Sequence, residues 1–139
     1  MAITKDSDRQ SPVVARIVTA AADISATGTY PAIDVPAGAV VVGGFARVIK
    51  AFNSSVTLTI GDEDDTDRYM TAAGTGAFPA ANQLGEQTAG SIMFLALTGY
   101  EYPSNDTIDV VLGGAANTTG ELEIVVIYVV AGRAEFSQG

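Results

Sequence analysis

The stretch GDEDDTDRYM, Gly61 to Met70, gathers Asp62, Glu63, Asp64, Asp65 and Asp67 just ahead of Arg68 and Tyr69. Carboxylates this dense suit three roles. They can hold a hard cation such as calcium, which takes about 6–8 oxygen ligands. They can supply the acid and base of glycoside hydrolysis, about 5–9 Å apart across a sugar cleft. Or they can form a solvated turn between strands. The calcium pattern breaks down in detail. Asp62, Asp64 and Thr66 follow the alternate spacing of an EF-hand loop, but Arg68 stands where a carbonyl ligand belongs. No turn glycine follows, and Ala73 replaces the closing glutamate. A sugar platform is also missing, since there is no Trp and the 5 Tyr and 5 Phe are scattered. The expected reading is an exposed polar hairpin loop in which Arg68 partly neutralises its neighbours, a pairing that adds only about 0–1 kcal/mol at a surface.

The rest of the composition narrows the chemistry further. The chain has no His and no Cys. That excludes Ser–His–Asp and Cys–His devices, thiolate chemistry, disulfides and the usual zinc ligand sets. There is no phosphate-binding P-loop, and the Gly-Gly pairs at 43–44 and 113–114 lead into no helix, so they read as bulges and tight turns. No cofactor and no catalytic residue is expected. With 7 basic and 16 acidic residues the formal net charge is −9, and Lys5, Arg9, Arg16, Arg47, Lys50, Arg68 and Arg133 form no stripe. Direct nucleic-acid binding and adhesion to anionic lipid are therefore not expected. MAITKDSDRQSP carries no signal-like apolar run, and no segment approaches the roughly 20 apolar residues of a membrane span. The expectation is a soluble chain made in the cytoplasm, with no membrane partner.

The elements that must carry these residues are strands. Short Val- and Ile-rich runs alternate with Gly, Pro, Asn, Asp and Ser, and no window holds a helical apolar stripe. VVARIVTAA (Val13 to Ala21) reads as a first strand, and a short strand falls around Ala32–Val35. VVVGGFARVIKAF is longer, with a bulge or close backbone approach expected at Gly43 and Gly44. In SSVTLTI, Val56, Leu58 and Ile60 face one way and Ser55, Thr57 and Thr59 the other. RYMTAA, SIMFLALTGYEY, DTIDVVL and ELEIVVIYVVAGRAEF complete about eight strands. TGAFPAANQLGEQTAG is the longest irregular connection, and GGAANTTG is a turn. The expected fold is a single-domain, all-β, jelly-roll-like antiparallel sandwich over residues 12–132. A flexible arm (1–11) precedes it and a tail (133–139) follows.

ELEIVVIYVV raises a further question. Leu122, Ile124, Val126, Tyr128 and Val130 share one face, and the other turns apolar at Val125, Ile127 and Val129. A strand apolar on both faces is either central within its own domain or covered by a partner.

The order of pieces from VPAGAVVVGGFARVIKAF through SVTLTIGDEDDTDRYMTAA, about a third of the chain, resembles the capsid cement, or decoration, proteins of tailed bacteriophages, in particular those of short-tailed Bordetella phages. The resemblance rests on strand-and-turn text and not on a catalytic signature. It implies a non-enzymatic virion protein that binds the outside of an icosahedral shell, with the major capsid protein and further copies of itself, as dimer or trimer, for partners. Contacts are then expected from the arm (Ala2, Ile3), the end of the last strand (Val125, Ile127, Val129) and the tail (Arg133, Phe136). Two alternatives stand beside it. One is a receptor- or carbohydrate-binding module of a phage fibre, with Tyr100, Tyr102 and Phe94 as the aromatic surface. The other is a neck or tail-completion protein.

Overall fold

The computed structural model describes residues 11–53, 56–71, 90 and 92–130. Among them the chain forms seven strands and no helix. They are β1 (Val13–Ala20), β2 (Gly28–Val35), β3 (Ala39–Lys50), β4 (Thr57–Gly61), β5 (Ile92–Phe94), β6 (Asp106–Gly113) and β7 (Glu121–Val130). One sheet runs β1-β7-β3-β5 and the other β2-β6-β4. Every pairing is antiparallel. Successive strands lie in opposite sheets, so each connection crosses the sandwich. That is jelly-roll winding.

The alternation read from the sequence sets the core. Leu58 and Ile60 of β4, Ile108, Val110 and Leu112 of β6, and Ile33 and Val35 of β2 are buried on the inner face of the smaller sheet. Leu122, Ile124 and Val126 of β7, with Ala46 and Val48 of β3, meet them from the larger one. Burying each of these larger aliphatic side chains stabilises by about 1.5–3 kcal/mol.

Three elements depart from expectation. First, β2 is longer than Ala32–Val35 and runs through Pro31. It can do so because β2 is an edge, where a missing N–H leaves no ladder bond unmade, and its register shifts between Pro31 and Ile33. Second, SIMFLALTGYEY yields only the short β5. The Leu95 N–H then bonds the Gly44 carbonyl at 3.1 Å and the Ala96 N–H bonds the Tyr69 carbonyl at 3.0 Å, as the chain passes from one sheet toward the other. An apolar run can feed a crossing as readily as a strand. Third, RYMTAA forms no strand among the described residues. Met70 makes an isolated bridge to Ile60, beside β4, where an eighth strand would add to the smaller sheet. The arm from 1 to 10, the connection from 75 to 89 and the tail lie outside the described residues.

The glycine pair in β3 behaves as its position implied. The β3–β7 register shifts between Val41 and Gly43. Gly44 takes φ +135°, and a Cβ there would stand 2.2 Å from the Val125 carbonyl oxygen. Neither backbone can yield. We expect Gly44→Ala to destabilise by about 2 kcal/mol or more, measured by urea denaturation. An unchanged midpoint would refute the close approach.

Candidate functional site

The acidic loop is not simply a solvated turn. Glu63, Asp64 and Asp67 are exposed, but Asp62 is fully buried. Its carboxylate is saturated by protein donors. Arg68 Nε donates to Oδ2 at 2.6 Å and Tyr102 Oη donates to the same oxygen at 2.9 Å. The Asp65 N–H donates to Oδ1 at 3.0 Å, and Arg68 Nη2 reaches Oδ1 at 3.3 Å. A carboxylate only accepts, so Tyr102 spends its proton on Asp62 and takes one from Tyr69, whose hydroxyl oxygen lies 2.8 Å away. The Arg68 guanidinium also lies over the Tyr100 ring, 3.7 Å from its centre. The chain turns this tightly because residue 61 is glycine: a Cβ there would meet the Asp65 carbonyl oxygen at 2.1 Å.

This corrects the exposed-pair expectation. Burial by itself would push the Asp62 carboxyl up, but the bonds from Arg68, Tyr102 and the Asp65 N–H outweigh it and hold the group below the usual carboxylate range. Burial pushes the Tyr69 and Tyr102 hydroxyls up, so both stay protonated donors. With both oxygens occupied, Asp62 has nothing to offer a cation or a substrate. Among the described residues no group of three or more acidic side chains is placed to hold a metal.

The aromatic surface of the carbohydrate alternative does not assemble either. Tyr102 is buried and packs edge-to-face on Tyr100, with ring centres 5.0 Å apart and planes at 86°. Phe94 lies on β5, across from Phe45 of β3.

The feature that does face outward is the outer face of the β1-β7-β3-β5 sheet. Register aligns its side chains in rows. Val14, Ile127 and Gly43 form one; Arg16, Val125, Phe45 and Phe94 the next; Val18, Glu123, Arg47 and Ile92 a third. Phe94 is 72% exposed, Val14 62% and Ile92 49%. Val125, Ile127 and Val129 are half-buried here. So β7 is central, as one of its two sequence readings required, and its second apolar face still meets solvent in part. The other expected contact residues, Ala2, Ile3, Arg133 and Phe136, lie outside the described residues.

Glu123 ties the face together. Arg16 Nε donates to its Oε2 at 2.6 Å and Arg47 Nε to its Oε1 at 3.0 Å. The Glu123 side chain is 8% exposed beneath arginines that are 58% and 42% exposed. Its cover is those two guanidinium groups and not the protein interior. The bonds from Arg16 and then Arg47 hold its carboxyl below the usual range. The face therefore presents apolar side chains around two arginines that share one acid.

No protein-family model matches the chain, and no curated protein matches its sequence. Its fold does match solved structures. A chain in the acid-stable capsid of Helicobacter pylori bacteriophage KHP30 superposes with a TM-score of 0.63 at 20% identity, over 86% of this chain and 88% of that one. A chain in the capsid asymmetric unit of cyanophage Pam1 gives 0.63 at 19% identity, over 94% and 92%. A chain in the capsid of Ralstonia phage GP4 gives 0.59 at 15% identity, over 96% and 92%. At such identities the likeness is one of fold, and it spans nearly the whole length on both sides.

A second buried acid behaves in the opposite way to Asp62. Asp109, on the central strand of the smaller sheet, has the Thr107 hydroxyl at 2.6 Å as its hydrogen-bond donor. Burial pushes its carboxyl up and the Thr107 bond only partly offsets that, while Asp106 and Asp62 add repulsion. Asp62, with its lowered value, contributes stability that is present above the ordinary carboxylate range and lost as pH falls through its folded value. Asp109, with its raised value, favours the fold at acid pH and loses that contribution as pH rises through its folded value. Two outcomes are expected in denaturation experiments. Asp62→Asn, which strands the Arg68 charge, should cost about 3–5 kcal/mol at pH 7, whereas Glu63→Gln should stay within about 0.5 kcal/mol. Asp109→Asn should raise the melting temperature at neutral pH and leave it unchanged under acid conditions; a drop at neutral pH would refute this assignment.

Proposed function

We propose that this chain is a structural virion protein, a cement or decoration subunit that binds the outer surface of an icosahedral phage capsid and joins neighbouring major capsid protein subunits. The observation that carries the reading is the near full-length fold likeness to chains from three phage capsids. The chemistry of the chain agrees with it. The buried carboxylate of the acidic loop, Asp62, is spent on internal bonds, and the chain has no His or Cys. What remains outward is a docking face.

In this reading the outer face of the larger sheet, with Phe94, Ile92, Val125, Ile127 and Val129 around Arg16 and Arg47, meets the capsid. Arg and aromatic side chains are favoured interface anchors, and each contributes more when water is excluded around it. The arm at Ala2 and Ile3 and the tail at Arg133 and Phe136 are assigned further contacts with the capsid or with another copy. A weak single contact suffices when it repeats over a shell and each subunit touches several neighbours. The subunit has no catalytic role and no cofactor, and its place is the virion exterior.

Purified protein mixed with undecorated capsids, imaged by electron microscopy, tests the proposal. Dense occupancy over the shell is expected. Occupancy at one vertex alone would move the protein to the neck, and no occupancy would overturn the virion reading. Phe94→Ser and Ile127→Ser should each weaken binding about tenfold, equivalent to about 1.4 kcal/mol, with circular dichroism unchanged. Undiminished binding by both variants would remove this face from the contact.

A further inference from the structure

Among the described residues four edges bound the two sheets, and three of them are guarded. β2 carries Pro31, a register shift and the exposed Asp34. β5 is only three residues long. β4 is five residues long, and Met70 bridges Ile60 on it. These are the devices that keep sheet edges from pairing with other chains: proline, irregularity, charge and brevity. β1 lacks proline, irregularity and brevity. It is eight residues long, and its register against β7 runs without a shift from Val13 to Ala20. It contains no proline and no acid, and among the described residues no strand pairs with its outer side. Its one charge, Arg16, could have served as a guard. Instead the guanidinium is drawn across the sheet face onto Glu123.

We propose that β1 pairs with β1 of a second copy, antiparallel about a two-fold axis normal to the sheet, so that the two four-stranded sheets become one continuous sheet. Among the described residues the outer N–H and C=O groups of β1 from Val14 to Val18 have no partner, while those of Ala20 are bonded to Asp23. Such a row recognises extended main chain, and a two-fold axis offers each copy the matching edge of the other. Charge favours this edge for self-association. At a formal net charge of −9 two copies repel over most of their surface. β1 presents no carboxylate of its own; of the acids beside it, Glu123 is shared by two arginines and Asp23 is confined to its end, where it accepts the Ala20 N–H.

The sequence of β1 also selects the register. Side chains facing each other across the axis must lie on the same face of the sheet. Arg16 opposite Arg16 would set like charges side by side, which destabilises a cross-strand pair. Ile17 opposite Ile17 avoids that. It places Arg16 across from Val18 and Val14 across from Ala20 of the second copy. Ala20 already gives its N–H to Asp23 Oδ2 and accepts the Asp23 N–H at its carbonyl, so the new ladder bonds centre on Arg16 and Val18. The outer apolar face then continues from one subunit to the next.

The inference deepens the self-association included in the proposed function but does not need the capsid contact. Light scattering of the purified full chain should give about twice the 14.2 kDa monomer mass. The chain has no cysteine, so Val14→Cys carries a single nitroxide at an exposed position. Pulsed electron resonance should then report a label pair separated by about 20 Å, six residues of offset at about 3.3 Å each. A monomer, or a dimer whose Val14 labels show no coupling in that range, would overturn the inference. A chain that is monomeric yet coats capsids would overturn it while leaving the virion reading intact; a dimer that fails to coat capsids would do the reverse.

Discussion

The structure is organised by what β7 must satisfy. Its backbone needs partners on both sides and finds them in β1 and β3. Its side chains are apolar on both faces, and only one face has the opposing sheet to cover it. Leu122, Ile124 and Val126 go into the core. Val125 and Ile127 are left to the outer face, and the buried acid beside them, Glu123, is tolerable there because Arg16 and Arg47 come from the two flanking strands to neutralise it. A carboxylate on an apolar face without such partners would be heavily penalised. The flanking strands thus serve β7 twice, once through the backbone ladder and once through charge.

The smaller sheet is closed by a different device. Asp62 follows β4 directly, and its partners come from the loop that leaves β4 and from the segment before β6. One buried carboxylate therefore fixes the turn at Gly61, the return of Tyr69 and Met70 beside Ile60, and the position of Tyr102. Burial alone would disfavour the charge. Three donors make it the most strongly held group of the loop. The exposed acids around it, Glu63, Asp64 and Asp67, contribute to net charge and take no part in that network.

Much of the fold was legible in the chain. Alternation in VTLTI and TIDVV marked the inner faces of β4 and β6, and adjacent glycines in β3 announced a bulge or a close approach, of which the structure has both. What escaped reading depended on distance along the chain. Asp62 looked like any other acid of its run because the residue that makes it different, Tyr102, is 40 positions away. The half-covered strand was recognised at Val125, Ile127 and Val129. Its companions Val14, Phe94, Arg16 and Arg47 sit on other strands, and only register brings them into rows with it. The run SIMFLAL was ambiguous for a different reason: an apolar segment bound for a crossing and one bound for a strand have the same composition.

The pairing of β1 with β7 has a consequence in time. Val13 lies against Tyr128, so the larger sheet joins the earliest described strand to the last. A chain emerging from the ribosome cannot build that sheet until β7 has been made, and until then β1 and β3 lack the strand that sits between them. Such long-range closure is slow compared with local folding. The larger sheet is therefore completed only once β7 is made, and a nascent fragment that lacks β7 presents no finished outer face. The outer face that this sheet offers for assembly waits on its last strand.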